Sequence, residues 1–210
     1  MTKDIAEVLQ LSLSDLHGSG NVISTLAGLT RVFEYIDASD VIKKLPYPLD
    51  CTQPEPNCQE CDELFILVPD KNKRCIVYFE GGASSPIQNL QGATKYASTI
   101  SLVCWYNMQG FQETENLQSR LIALFSDRCK NAKVNPLLPV ESLSRVEVEL
   151  IRVQDSDPSI FSKYTYSQDK SQYLGCPFSS FKLDFKINFT LYENPNCFRP
   201  IVAIAIPNCL

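Results

Sequence analysis

The stretch from Thr94 to Asn107, TKYASTISLVCWYN, constrains this chain more than any other. It is rich in β-branched and aromatic residues and contains neither glycine nor proline, the composition of a strand paired on both sides. A strand of that kind needs neighbours and two apolar covers. It follows the segment Tyr78-Phe79-Glu80-Gly81-Gly82 and precedes a stretch with helical spacing at about 113–130.

The remaining periodicities supply those covers. Over 181–192, Phe181, Leu183, Phe185, Ile187, Phe189 and Leu191 alternate with Lys182, Asp184, Lys186, Asn188, Thr190 and Tyr192. Period two of this quality predicts a strand with one buried and one wet face. Strand texture also predicts 145–153, with Glu147 and Glu149 outward, and 29–36. The apolar runs 63–68 and 75–79 flank the polar segment 69–73 and predict a hairpin. Leu117, Leu121, Leu124 and Phe125 place an apolar stripe on a helix at 113–130. An opening helix is expected from Thr2 to Leu16, with Ile5, Val8, Leu9, Leu13 and Leu16 at helical spacing and Gly18 as its stop. Asp157-Pro158 reads as an N-cap followed by proline, opening a helix towards Tyr173. Pro46, Pro48, Pro54 and Pro56 predict an extended loop. The segment from Gly81 to Gly92 joins the hairpin to the tryptophan strand as a bent second hairpin.

These elements predict an α+β fold, a mixed and mostly antiparallel sheet flanked by helices. One domain spans 1–192, with its N-terminal helix at 2–16, a Pro/Cys-rich loop at 45–61 and a core at 62–192. A C-terminal arm occupies 193–210.

Bulk properties narrow the function. A net charge of −5 without a long Lys/Arg run argues against a surface built to grip nucleic-acid phosphates. The start, Met1-Thr2-Lys3-Asp4-Ile5-Ala6-Glu7, lacks the apolar stretch of a signal peptide, and the run Ile201–Ile206 is too short to span a bilayer. Nine cysteines, an odd number, fit reduced thiols in a cytosolic setting.

The chemistry-bearing residues are few. The single histidine, His17, falls at a helix end, where it complements the dipole. Cys58-Gln59-Glu60-Cys61 is a C-x-x-C, and with Cys51 it forms the one cluster with zinc-like spacing. In the expected hairpin Cys75 lies too far along its strand to complete that site, leaving Cys197 or Cys209 as alternatives. Plain structural cysteines are the default. Glu80-Gly81-Gly82-Ala83-Ser84-Ser85 lacks the spacing and lysine of a phosphate loop and reads as a turn. Glu60, Asp62 and Glu63 lack the ligand periodicity of a calcium loop. No enzyme activity, cofactor or bound metal is expected.

The order of elements, from a hairpin ending in Ile76-Val77-Tyr78-Phe79-Glu80-Gly81-Gly82 through the tryptophan strand, an amphipathic helix, a further strand, an insertion with Tyr164, Tyr166 and Tyr173, and the alternating strand 181–192, resembles the tail terminator or tail-completion proteins of long-tailed bacteriophages. The resemblance covers about 60–192 and rests on element order and strand texture. It implies a homo-oligomeric ring, a hexamer in that family, at the head-proximal end of the tail. The implied partners are the tail tube protein and neck or connector proteins. DNA would pass without specific binding, and no membrane is involved. The implied location is the virion, after assembly in the host cytoplasm. The 45–61 stretch and the C-terminal arm depart from compact members. Subunit contacts are expected from Ile201, Val202, Ile204 and Ile206, and from Ile5 and Leu9. Two alternatives stand beside this reading: another head-tail connector ring, and a small zinc-stabilised intracellular binding protein.

Overall fold

The computed structural model describes residues 2–36, 40–49, 66–132 and 143–192. Its centre is β4 (Ala93–Asn107), paired along its whole length with β6 (Phe178–Tyr192) and, across two register shifts, with β3 (Cys75–Leu90). Outside these lie β1 (Thr25–Ile36), β2 (Ile42–Pro48) and β5 (Leu143–Asp155), giving the order β2-β1-β3-β4-β6-β5. Only the β1–β3 pairing is parallel; the other four are antiparallel. The fold is α+β with a mixed, mostly antiparallel sheet, as the periodicities predict.

Strand alternation sorts the side chains onto two faces. Cys75, Val77, Phe79, Ile100, Leu102, Cys104, Tyr106 and the odd-numbered residues of β6 from Phe181 to Phe189 point to one face. There α1 (Thr2–Ser12) and α2 (Leu117–Lys130) cover them, through Ile5, Ala6 and Leu9 from α1 and Leu117, Leu121 and Phe125 from α2. The interleaved Ile76, Tyr78, Val103 and Trp105 point the other way. They meet Leu67, Ile160, Phe161 and Tyr164, which belong to connections and not to regular helices.

Several expectations are corrected. The hairpin of 63–68 with 75–79 does not form: 66–68 is a turn, and residues 63–65 lie outside the described set. β3 pairs instead with β1 and β4, while Leu67 and Val68 pack as buried side chains. Pro46 and Pro48 sit inside β2, not in a loop. β2 is an edge strand with β1 as its neighbour on one side only, so a missing N–H is tolerated on the outer side. The helix expected after Asp157 breaks into a 3₁₀ turn at Pro158–Phe161 and a single helical turn at Gln168–Ser171. Its cap is as expected: the Asp157 carboxylate accepts from the Ser159 backbone N–H at 2.8 Å. The opening helix stops at Ser12 and continues as a 3₁₀ turn at Ser14–Leu16.

Ile5 and Leu9 lie in the protein's own core at 0% exposure. They are therefore not available as subunit contacts. α1 crosses the sheet close by, where a Cβ on Gly81 would meet the Thr2 side chain at 2.9 Å.

Core truncations test this assignment. Phe185→Ala and Leu121→Ala should each lower unfolding free energy by about 2–5 kcal/mol in urea titrations, with unchanged m-values. Near-neutral results at both positions would remove the two-layer core described above.

Candidate functional site

The most concentrated polar cluster among the described residues lies between the sheet and the connection over its second face. Glu80 ends the apolar run of β3 and alternates onto that face, where it is buried. Its Oε1 accepts from the Tyr164 hydroxyl at 2.8 Å and pairs with Lys163 Nζ at 2.7 Å. Its Oε2 accepts from Lys182 Nζ, on β6, at 3.2 Å. Two further phenols close around this centre. Tyr78 is fully buried beside Tyr164, with no partner at hydrogen-bond geometry, and the Tyr166 hydroxyl is also buried and unpartnered.

Burial, with the Glu80 carboxylate as a second cause, holds the phenols of Tyr164 and Tyr166 far above the usual tyrosine range. Burial does the same to Tyr78, followed by its neighbours Tyr164 and Tyr166. These phenols keep their protons and act as donors. A carboxylate saturated by one phenol and two ammonium groups is not available as a base for a substrate. What the cluster does is hold the connection against the sheet.

Other contacts fasten the same connection. Trp105 Nε1 donates to the Tyr173 carbonyl at 2.6 Å while its ring stacks on Phe178. Thr165 N–H donates to the Lys44 carbonyl on β2 at 2.8 Å, and Lys170 pairs with Asp70 at 3.0 Å. The Asp70 carboxyl is held below its usual range, first by the Asn72 backbone N–H and then by Lys170. Nearby, Lys73 Nζ donates to the carbonyls of Ile66 and Val68, and burial pulls this ammonium down to about 8.

A second feature lies on the helix side, at the end of the sheet where β6 begins. An open groove of about 960 Å³ runs between the 18–22 loop, Phe111 and α2. Half-buried Val22, Phe111 and Leu124 line it beside Leu117 and Leu121. Arg74 closes one end, its guanidinium 4.4 Å from the centre of the Phe111 ring and its Nη1 donating to the carbonyls of Gly20 and Asn21. Leu124, read from sequence as part of the core stripe, faces this groove.

The residues singled out from sequence are scattered. His17 is exposed at the end of the 3₁₀ turn after α1, as its position beside Gly18 implies. Cys51, Cys58 and Cys61 lie outside the described residues, as do Cys197, Cys209, Glu60, Asp62, Glu63 and the arm from Ile201 to Ile206. Cys75 is buried in the helix-covered core, its Sγ 3.6 Å from that of Cys104, and burial pushes the Cys104 thiol up. The four described cysteines, Cys75, Cys104, Cys129 and Cys176, are free. Among the described residues no cluster of three or more His, Cys, Asp or Glu could hold a metal, and no helix is long and apolar enough to cross a membrane. Glu80-Gly81-Gly82 is not a turn but part of β3. Glu147 and Glu149 are exposed, as expected, and Glu149 stands opposite Lys186 on β6.

No protein-family model matches the chain, and no curated protein matches it.

Two outcomes check this site. Tyr164→Phe removes a donor from buried Glu80 and should cost about 1–3 kcal/mol in urea unfolding. Trp105 is the chain's single tryptophan, so loosening of the cover should shift fluorescence to the red. Unchanged stability together with unchanged emission would show that the cluster does not fasten the cover. For Lys73 the sign follows from its lowered folded value. The folded chain releases this proton from about pH 8 while the unfolded chain holds it to about 10.5, so stability rises with pH across that window. The stability of the wild type relative to Lys73→Met should therefore increase between these pH values, and a flat difference would contradict it.

Proposed function

We propose that the protein is a structural virion subunit of the tail terminator or tail-completion class. It assembles as a homo-oligomeric ring at the head-proximal end of a long phage tail, caps the tail tube and joins it to the neck. The observation that carries this reading is the architecture: a six-stranded mixed sheet with two helices on one face, in which the tryptophan strand, helix, further strand and alternating strand keep the order of the resemblance while its leading hairpin does not form. The sequence order alone did not specify that α1 and α2 share one face. Their shared placement leaves an opposite face that is polar towards β5 and β6, where Glu147, Glu149 and Arg152 alternate along the edge strand.

That polar face suits a passive role towards DNA. Glu149 pairs in register with Lys186, and Arg152 with Asp184, so carboxylates and cations offset each other across the ladder. A mixed surface on a chain of net charge −5 offers a passing duplex little to hold. Subunit contacts are assigned to the apolar run of the arm, Ile201, Val202, Ile204 and Ile206, since the N-terminal helix is committed to its own core.

Native mass spectrometry of the intact chain, alone and with purified tail tubes, tests the proposal. The expected result is a closed oligomer of one size that dissociates when residues after Asn194 are deleted. Duplex DNA should show no tight, salt-sensitive binding to it. A chain that stays monomeric in both settings, or binds duplex tightly, overturns the reading.

A further inference from the structure

We infer that the end of the β1–β2 ribbon of one copy of this chain seats in the groove between α2, Phe111 and the 18–22 loop of another. The inference rests on the self-association in the proposed function and names one of its contacts. β1 leaves β3 after Thr30, the partner of Glu80, yet stays paired with β2 from Arg31–Tyr47 out to Ile36–Ile42. The connection over the second face reaches this ribbon at Lys44, whose carbonyl accepts from the Thr165 N–H. Beyond that point, among the described residues, the two strands pair with each other alone. Two strands by themselves are marginal in water unless they bury a face. Val32, Ile36 and Ile42 share one face of the ribbon, with Val41 beside them, and all four are between 43% and 58% exposed. An aliphatic patch of this kind marks a contact surface.

The groove states what it would accept. Val22, Phe111 and Leu124 offer half-buried apolar surface. Of its two cations, Arg120 is paired with Glu113 at 2.6 Å, whereas no carboxylate among the described residues pairs with Arg74. Arg74 is also held in place, its guanidinium on the Phe111 ring and its stem over Gly110, where an added Cβ would come within 2.8 Å. An occupant should therefore bring aliphatic side chains and one carboxylate. The ribbon brings both, since exposed Asp40 directly precedes Val41 and Ile42 and has no ion-pair partner among the described residues. Other exposed aliphatic positions fit less well. Ile151 and Val153 flank Arg152, which has the sign of Arg74, and Ile87 and Leu90 have no carboxylate in their segment. Leu11 stands one helical turn from Asp15, which Arg128 already holds at 2.8 Å.

Strand pairing decides between the chain's own ribbon and a neighbour's. β1 begins beside the groove: the Arg74 N–H donates to Ser24 Oγ at 3.1 Å, and Thr25 is in register with Ile76. From there β1 runs straight away, and its 12 residues carry Ile36 roughly 36 Å from Thr25 at about 3.3 Å each. The ladders to β3 and β2 fix that direction, so the ribbon cannot fold back onto its own groove. A contact between the far end of one subunit and the near end of the next is head-to-tail, the kind that closes into a ring.

The test uses the full chain with a photo-cross-linking phenylalanine analogue in place of the exposed groove residue Ala123, mixed as ¹⁴N and ¹⁵N copies. Cross-links should join light to heavy chains and map to 32–42. Ile42→Lys on the ribbon and Ala123→Glu in the groove should each raise the concentration of half-association about tenfold or more in sedimentation velocity, with circular dichroism unchanged. Mixing these two variants should recover paired subunits, because one intact groove and one intact ribbon remain. Asp40→Asn keeps a residue that tolerates the left-handed turn and removes the charge, so it should weaken association about two- to fivefold and lessen its salt dependence. Cross-links confined to single chains, or mapping to other segments, overturn the inference. So does association that is unchanged in both Ile42→Lys and Ala123→Glu; these results leave the ring itself standing. An intact chain that never associates overturns both.

Discussion

The structure depends on the double-sided burial of β3 and β4. From Ile100 to Asn107 every residue of β4 is buried, whichever way it points, and the same holds for β3 from Cys75 to Glu80. Two strands of this kind create two apolar surfaces, and each needs a lid. The helices supply one. The second lid is built from the 158–178 segment and the turn at 66–68, which bring Ile160, Phe161, Tyr164 and Leu67 onto Tyr78, Val103 and Trp105. A lid made of short turns has few backbone hydrogen bonds of its own, so side chains must hold it. That requirement explains why the polar contacts concentrate there.

The lid also explains which parts of the fold could be read in advance. Strands β4 and β6 announce themselves because each satisfies one simple rule along its length: continuous β-formers in β4, strict alternation in β6. Helices α1 and α2 do so through their leucine and isoleucine stripes. Partner choice is different. The run 63–68 and the run 75–79 have the texture of neighbours, yet the strand beside β3 is β1, more than forty residues upstream and parallel to it. An apolar strand says that it is buried, not against what. Pro46 and Pro48 misled for a related reason: proline excludes a strand from the middle of a sheet, and β2 sits at its edge.

The polar cluster was harder still. Glu80, Lys163, Tyr164 and Lys182 are spread over a hundred residues and match no spacing rule. One signal was present. Glu80 and Lys182 both occupy the phase of their strands that faces away from the helices, and Tyr78 shares that phase. Once β3 and β6 flank β4, that phase puts carboxylate and ammonium on one surface. The pairing of β4 on both sides was therefore the missing fact. The groove depends on long-range placement too: the 18–22 loop, Arg74 and Phe111 meet α2 there, and Leu124 faces it while its neighbour Phe125 packs on Phe181.

A charged hub is an expensive way to fasten a lid, since burying Glu80 forfeits its hydration and its two lysines recover only part of that. Apolar side chains of the same volume would hold as strongly or more so. They would not define one position. Glu80 accepts from three donors on two elements, Tyr164 and Lys163 from the lid and Lys182 from β6, and the phenol stays protonated because burial keeps it so. A lid that slid by one residue would exchange Lys163 for Tyr164 and leave the carboxylate buried without its phenol donor. Aromatic packing around Phe161, Tyr164 and Tyr166 tolerates small displacements; the hub does not. The apolar contacts thus make the lid bind, and the polar ones fix where it binds.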